Sequence, residues 1–207
     1  KMLDHIPEGY QQVELSLQDG LRMPKKTGFA IDEITNDQLL LNTAYEVIEQ
    51  KYTPKLVEQL KKAKASQLIL TSNVKPEVIA DFYQRFGLRD KEKAANFHAF
   101  QRLMYNAMHR GIGFASGVEN ANGTLLGAAF FIFSHGRLWH LLGNFSPEGK
   151  NVGADSLLYD TLIRTNAQKP VVLDFNSLGT KQKFEQFGTQ QVKIYKIKKR
   201  KKWLGLF

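Results

Sequence analysis

The sequence of 207 residues contains no cysteine and only five histidines. Without cysteine the chain forms no disulfide bond and offers neither a thiolate metal ligand nor a cysteine nucleophile. The histidines are scattered and show neither an HxxxH nor an HExxH spacing, so we predict that the chain binds no metal. A cysteine-free composition is also typical of a cytoplasmic protein, and we expect that location here.

Long hydrophobic runs are also missing from the sequence. The longest, Leu125 to Phe133, is far shorter than the roughly 20 residues that a membrane-spanning helix needs, and no signal-peptide pattern is visible. The composition is 43% hydrophobic and 24% charged, which is typical of a globular chain and excludes a largely disordered one. At about 150 residues per domain, the length predicts one domain, or one domain and part of another.

Positive charge is concentrated near the carboxyl end of the chain. The net charge is +9, and seven lysine and arginine residues lie between Lys193 and Lys202, so the rest of the chain is nearly neutral. The apolar run Trp203 to Phe207 follows. This combination suits RNA phosphates or an anionic membrane surface, and binding to the latter would make the protein membrane-peripheral. The alternative is a solvated tail whose last aromatic residues pack on the body of the protein.

The first third of the chain carries weaker signals. Residues 13 to 17 alternate between apolar and polar side chains, as a half-buried strand does. The spacing of apolar residues then predicts a helix from Leu39 to Lys64. Pro54 interrupts this helix and restarts it at a first-turn position, with Thr53 as the N-cap.

From residue 67 onward the order of elements is clearer. We predict a strand at 67–71, helices at 76–86 and 97–108, strands at 113–118, 125–133 and 138–145, a helix at 152–167, a strand at 170–175, a short helix at 180–187 and a strand at 191–197. Asn122-Gly123 and His135-Gly136 are hairpin signals between the three central strands. The order predicts an α/β (α+β) fold with a mixed sheet, in which an antiparallel meander is followed by parallel βα units.

This order is similar to the GNAT acyltransferase fold, in which the strand-to-helix junction after the meander binds the acyl donor. In the junction here, Gly149 and Gly153 allow close approach of the backbone, Lys150 adds positive charge, and the next helix offers free N–H groups to a phosphate. Lys150 stands where the family pattern has arginine or glutamine, and Asp155 occupies a position that is small in the family. The alternative is a glycine-containing turn before a helix. The resemblance implies that a donor contacts Leu142, Asn144, Gly149, Lys150, Val152, Gly153 and Ala154.

A second resemblance is carried by the end of the chain. Its residues are Val172 to Gly179, Phe184, Phe187-Gly188 and Tyr195, and the segment from Tyr45 to Ala63 adds a linker-helix pattern. Together they resemble the Fem-type aminoacyltransferases and the related FemAB-like and BioF2-like acetyltransferases, over about residues 39 to 198. The resemblance implies a remnant or edge of a preceding GNAT-like module at 1–38, a linker helix region at 39–66, a GNAT-like domain at 67–198 and a basic and apolar tail at 199–207.

The activity that the resemblance implies is transfer of an aminoacyl or acetyl group to an amine. The donor would be an aminoacyl-tRNA or an acyl-CoA, and in some family members the acceptor is a cell-wall precursor peptide. Two alternatives stay open: an ordinary CoA-dependent acetyltransferase, and a GNAT-like binding module without catalysis. The second is favoured by departures from the family pattern, since Gly179 comes late, Lys183 and Phe184 are inverted relative to the family's Phe-Lys pair, and Asp155 would repel a phosphate.

Amine acylation needs a polarised carbonyl and a deprotonated amine, and two residues near the junction are candidates for the proton transfers. His140 is the candidate base, and the alternative is a hydrogen-bonded, half-buried histidine. The GNAT resemblance implies that Tyr159 is the acid that protonates the leaving group. The alternative is that Tyr159 packs in the core beside Leu158 and Leu162.

Two further candidates lie toward the carboxyl end. Asp174 ends a buried-type strand, where a carboxylate is costly unless it is paired or functional. The alternative is that Asp174 caps the next turn through Asn176 or Ser177. The Fem resemblance implies that Lys183 offsets charge at the reacting carbonyl.

Overall fold

A computed structural model of the chain describes residues 10, 12–17, 30–72, 74–87, 97–177 and 184–200. Eight strands run through these residues: β1 (Gln12–Leu17), β2 (Ala30–Leu40), β3 (Ile69–Ser72), β4 (Gly113–Glu119), β5 (Leu125–Ser134), β6 (Arg137–Phe145), β7 (Val172–Asp174) and β8 (Gln190–Arg200). The helices are α1 (Tyr45–Glu49), α2 (Pro54–Ala65), α3 (Pro76–Phe86), α4 (Phe97–His109), α5 (Pro147–Asn151) and α6 (Ala154–Asn166), with a short 3-10 helix at Glu185–Phe187.

All eight strands form one mixed sheet in the order β1-β8-β2-β7-β6-β5-β4-β3. The strands β6 and β7 are parallel and are joined through α5 and α6, whereas the other neighbours pair antiparallel. The predicted fold class, an α/β mixed sheet of GNAT type with an antiparallel meander, is confirmed. One detail differs, because β2 lies between β7 and β8, so the last strand pairs with β2 and β1 and does not extend a parallel unit.

The central meander β4-β5-β6 follows the predicted turns. Gly123, His135 and Gly136 have positive φ angles of 76°, 52° and 70°, as tight hairpin turns require. The pairing of β5 with β6 shifts by one residue, since Phe130 faces Leu142 and Phe131 faces His140. The extra residue between them is a β-bulge, which re-aims the side chains on either side of it.

Helices cover both faces of the sheet. On one face α2, α6 and the 3-10 helix bury a core that includes Leu56, Leu158 and Phe187. On the other face α3 and α4 pack Ile79 and Met104 against the middle strands. The longer helices α2, α3, α4 and α6 present apolar residues to the sheet, which is why helix-period patterns were readable in the sequence.

The linker region departs from its prediction at its start. The expected helix from Leu39 is wrong there, because β2 continues to Leu40 and pairs with β7. The restart at Pro54 is confirmed, and the Thr53 hydroxyl accepts the N–H of Leu56 at 3.3 Å as the N-cap. The hydroxyls of Tyr45 and Tyr52 donate to Asp160 Oδ1 on α6, at 2.6 and 3.0 Å, and so fix the linker on the domain.

The strands before residue 39 belong to the same sheet as the rest. Both β1 and β2 pair with β8, so the segment expected to be the edge of a preceding module is integrated into this domain's sheet. Whether residues 1–38 derive from such a module stays a prediction. Lys199 and Arg200, which were expected to begin the tail, are the last two residues of β8. The run Trp203 to Phe207 lies outside the described residues.

The basic block is mostly a strand. Across β8 its lysines form ion pairs with acids of the neighbouring strands: Lys193 with Glu33 at 2.9 Å, Lys198 with Asp32 at 2.9 Å, and Lys196 with Glu14. Much of the positive charge is therefore compensated within the sheet. Binding of RNA or of an anionic membrane through Lys193–Lys202 stays a prediction.

Candidate functional site

The sheet opens between β6 and β7. The parallel pairing covers only Arg137 to Trp139 of β6, which face Val172 to Asp174. Beyond that point the N–H of Phe175 donates to the carbonyl of Asp37 on β2, at 3.0 Å, and the chain turns away through Asn176, whose φ is 49°. Among the described residues, the second half of β6 therefore has no strand partner on this side.

His140 bridges this opening with its side chain. Its Nδ1 lies 3.2 Å from the carbonyl oxygen of Phe175, and its Nε2 lies 2.9 Å from the hydroxyl of Tyr159 on α6. A carbonyl can only accept, so Nδ1 carries the proton of the neutral ring and the Tyr159 hydroxyl donates to Nε2. Both predicted proton-transfer residues are thus brought together, with their hydrogen-bonding capacity largely used on each other and on the backbone.

An aromatic cluster encloses this pair. Tyr159 makes ring contacts with Phe131, Phe145, Phe175, Phe184 and Phe187. His140 is 6% exposed and Tyr159 is 2% exposed. Burial lowers the pKa of His140 to about 4, and burial raises the pKa of Tyr159 well above its usual range, with the charge of Asp155 adding to that rise. Both groups are therefore neutral at neutral pH.

Gly143 is a site residue that the sequence reading missed. A Cβ atom at this position would lie 2.6 Å from His140 Nε2 and would clash with the hydroxyl of Tyr159. Only glycine lets β6 pass this close to the pair. A glycine inside a predicted strand is a signal for such close approach, and it was available in the sequence.

Asp174 is a fully compensated buried carboxylate. It is 1% exposed and accepts hydrogen bonds from Arg137 at 2.9 Å, Gln38 at 3.0 Å, Asn36 at 2.8 Å and the N–H of Asn176 at 2.9 Å. The bond to Asn176 is the turn cap that we weighed as an alternative. Together the four bonds tie the ends of β2, β6 and β7 to one anion, which fixes the mouth of the opening.

Polar residues of β2 extend this network. The Ser177 hydroxyl accepts the N–H of Asp37 at 2.9 Å, and the Ser177 N–H donates to Asn36 Oδ1 at 2.9 Å. Asp37 is 4% exposed, and its Oδ1 atom has no hydrogen-bond partner among the described residues. The sequence signal was a run of three polar residues directly before the helix expected from Leu39, and no role was predicted for these residues. Lys183, the fourth predicted catalytic residue, lies outside the described residues.

The glycine junction is packed rather than open. A Cβ atom at Gly149 would lie 2.5 Å from the carbonyl oxygen of Leu126 on β5. Gly153 has a φ of 78°, and a Cβ atom there would clash with the carbonyl oxygen of Gln59 on α2. Ala154 is fully buried. The two glycines therefore let the backbone come close to β5 and α2, whereas the sequence had suggested close approach to a phosphate.

The polar groups around the junction act on an anion in opposite directions. Burial raises the pKa of Asp155, and the positive charge of Lys150 acts in the opposite direction. Gln59 Oε1 is buried and has no hydrogen-bond partner within the described ranges. Acceptor oxygens therefore already face the start of α6, whereas Lys150 is exposed.

Two of the predicted donor-binding side chains pack in cores on opposite faces of the sheet. Leu142 packs with the α3–α4 core, and the side chain of Asn144 reaches the end of α3 at Gly87. Val152 packs instead against the α2–α6 core. The Asn144 amide nitrogen is buried and lacks a partner in the part of the chain that is described. The set does not converge on one cavity, and its role in donor binding stays a prediction.

Metal and membrane sites are not indicated by the described residues. No group of three or more His, Asp or Glu residues among them could hold a metal ion. Over the same ranges, no helix has both the length and the apolar character needed to cross a bilayer.

Solved structures share this fold at low sequence identity. FemX matches with a TM-score of 0.62 at 9% identity, over 90% of this chain and 65% of its own. A functionally unknown conserved protein from Staphylococcus epidermidis matches with a TM-score of 0.58 at 11% identity, over 92% of this chain and 73% of its own. L-PGS from Bacillus licheniformis matches with a TM-score of 0.51 at 8% identity, over 84% of this chain and 63% of its own.

No family model matches the sequence, and no curated protein matches it either. The chain spans about two thirds of the length of FemX and of L-PGS. At these identities the likeness extends to the fold alone.

Proposed function

We propose that the chain is a module of an N-acyltransferase that transfers an aminoacyl or acetyl group from an activated donor to an amine. The observation that carries the proposal is the opening between β6 and β7, where β6 from His140 to Phe145 has an unpaired edge among the described residues. Backbone N–H groups on such an edge can hold a donor and polarise its carbonyl. The likeness in fold to FemX and L-PGS supports this proposal.

In the proposed reaction the amine nitrogen attacks the acyl carbon. A new C–N bond forms, the bond between the acyl carbon and the leaving sulfur or oxygen breaks, and the amine loses a proton while the leaving group gains one. The donor would be an acyl-CoA or an aminoacyl-tRNA. In this proposal Lys150, which is exposed at the end of α5, would contact the donor phosphates, and the closed backbone of the junction would not.

Within this proposal His140 and Tyr159 are positioning residues. Both are neutral and buried, and each is hydrogen-bonded to the other. Their bridge to Phe175 holds the carboxyl ends of β6 and β7 at a fixed separation. The sequence-based roles of base and acid would instead need these groups to meet solvent or substrate.

The test is calorimetric titration of the chain with acetyl-CoA and, separately, with charged tRNA. Asn144→Ala alters the opening, Lys150→Ala alters the junction, and Lys64→Ala removes an equally exposed lysine from α2 as the control. We expect binding of one donor that Asn144→Ala weakens and Lys64→Ala leaves unchanged. Loss of binding only in Lys150→Ala would indicate that the donor binds at the glycine junction and not at the opening between β6 and β7.

A binding module without catalysis is the second candidate, because α2 closes the glycine junction. It predicts that neither donor binds to the well-folded chain and that no acyl group reaches an amine such as lysine amide. Saturable binding of either donor, together with transfer, would exclude it.

A further inference from the structure

A groove of about 450 Å³ lies between α6 and the outer strands β3 and β4. Leu70, Phe114, Leu158 and Leu162 supply its apolar part, and serine, threonine and asparagine side chains supply the remainder. None of the described residues that line it is charged. Its volume and its mixture of apolar surface with a few polar groups are typical of sites for small molecules.

The groove is distinct from the opening between β6 and β7. Phe114 lines the groove and stacks on Phe131, with ring centroids 5.3 Å apart. Phe131 in turn contacts the ring of His140, at 5.5 Å. One buried aromatic layer therefore separates the two sites, so an occupant of the groove does not touch the His140–Tyr159 pair.

On the α6 side, two of the polar side chains that line the groove already donate hydrogen bonds within the helix. The Thr165 hydroxyl donates to the carbonyl of Thr161 at 2.8 Å, and the Asn166 amide donates to the carbonyl of Leu162 at 2.9 Å. An apolar chain would leave both of these bonds intact. This wall of the groove thus favours an apolar occupant.

A positively charged side chain lies at one end of the groove. Lys169 donates from Nζ to Asn166 Oδ1 at 3.1 Å, and Asn166 belongs to the lining. Lys169 is exposed, so its charge is available to a ligand head group. We propose that the groove binds a single-chain amphiphile, with the hydrocarbon chain against Leu70, Phe114 and Leu162 and an anionic head at Lys169.

The proposal is tested by titrating the chain with dodecanoate and with dodecyltrimethylammonium, both below their critical micelle concentrations. We expect dodecanoate to bind saturably and the cation of equal chain length to bind about tenfold more weakly. Lys169→Ala should remove that preference, whereas Lys64→Ala, at a similarly exposed lysine on α2, should keep it.

Filling the groove tests the position of the hydrocarbon chain. Ser116→Phe places a ring over the apolar floor, and Thr161→Leu fills the α6 side with a smaller side chain in case the first variant folds poorly. Thr35→Phe, at an exposed threonine of β2, is the matched control. Dodecanoate binding should fall about tenfold or more in both filled variants and stay unchanged in the control.

Three outcomes would overturn the proposal. The first is no saturable binding of dodecanoate to the folded chain, and the second is equal binding in the filled and control variants. The third is a concentration-dependent dimer in sedimentation that Ser116→Phe abolishes while dodecanoate has no effect on it, which would assign the groove to a second copy of the chain.

Discussion

Asp174 and His140 are both buried next to the same opening, yet the protein accommodates them in opposite ways. Asp174 on β7 keeps a charge-compensating environment of one arginine, two side-chain amides and one backbone N–H. His140 on β6 has one carbonyl, one hydroxyl and aromatic rings around it. The first environment stabilises an ion, and the second stabilises a neutral ring.

The contrast separates two meanings of a buried titratable residue. A carboxylate that accepts four hydrogen bonds has no capacity left for a substrate, so it serves to tie strands together. A neutral histidine in an apolar cluster resists protonation, because the charged form would lose its hydration. Burial alone therefore does not distinguish a catalytic from a structural role at either position, and the hydrogen-bond partners favour a structural one.

The largest effect is expected for Asp174→Asn. The amide cannot accept from all four donors, and the mostly buried Arg137 loses its ion pair with the carboxylate. We expect the free energy of unfolding to fall by about 3–5 kcal/mol, measured by urea unfolding. Asp81→Asn breaks an exposed Arg85–Asp81 pair on α3 and should cost less than about 1 kcal/mol. Equal losses in the two variants would show that the hydrogen bonds of Asp174 do not hold β2, β6 and β7 together.

The next effect is a pH dependence set by His140. The pKa of its ring is about 4 in the folded chain and near 6.5 when unfolded. The unfolded chain binds the proton more readily, so stability is full above about pH 6.5 and falls as the pH drops toward 4. The gap between the two pKa values corresponds to a loss of about 3 kcal/mol. Urea unfolding at several pH values measures it.

The control for that titration is a pair of histidine substitutions. His140→Gln should flatten the stability profile between pH 4 and 6.5, because the titrating ring is gone. His109→Gln changes an exposed histidine at the end of α4 and should leave the profile as it is. A slope that persists in His140→Gln would show that another group titrates. It would contradict the conclusion that the His140 ring is buried in its neutral form.

A smaller loss is expected for Gly143→Ala. The added methyl group meets the His140 ring and the Tyr159 hydroxyl, and the strand must shift to relieve it. Overpacking of this kind typically costs about 1–3 kcal/mol. Tyr159→Phe removes the hydroxyl, so the double variant should be more stable than the sum of the two single losses predicts. Strict additivity in this unfolding cycle would show that the glycine and the tyrosine do not compete for space.

Much of the fold was readable because it rests on local signals. The helix after Pro76, the hairpin at Asn122-Gly123 and the cap at Thr53 each depend on a few neighbouring residues, and all three are present. The strand from Ala30 to Leu40 was not predicted from the sequence. Its buried polar residues, such as Asn36, are satisfied by residues about 140 positions away, and no local pattern announces such partners.

The site was less predictable than the fold for the same reason. His140 and Tyr159 were identified singly, but their contact depends on a one-residue bulge in β6 that composition and spacing do not reveal. The glycine junction was identified by its residues, yet Gly153 is explained by the approach of Gln59, 94 positions earlier in the chain. A glycine pattern in the sequence indicates that another group approaches the backbone closely, and only the fold shows which group it is.

The smallest effect is expected on the β1-β8-β2 ribbon, where charge is paired but not buried. Lys198 and Asp32 lie 2.9 Å apart, with side chains 41% and 51% exposed. Water screens such a pair, so Lys198→Ala should cost less than about 1 kcal/mol in urea unfolding, and less still in 1 M salt. This result would complete the contrast with Asp174, because the free energy that an ion pair contributes to stability depends on its exposure to water. A loss above about 2 kcal/mol that salt does not reduce would mean instead that this face of the ribbon is shielded from solvent.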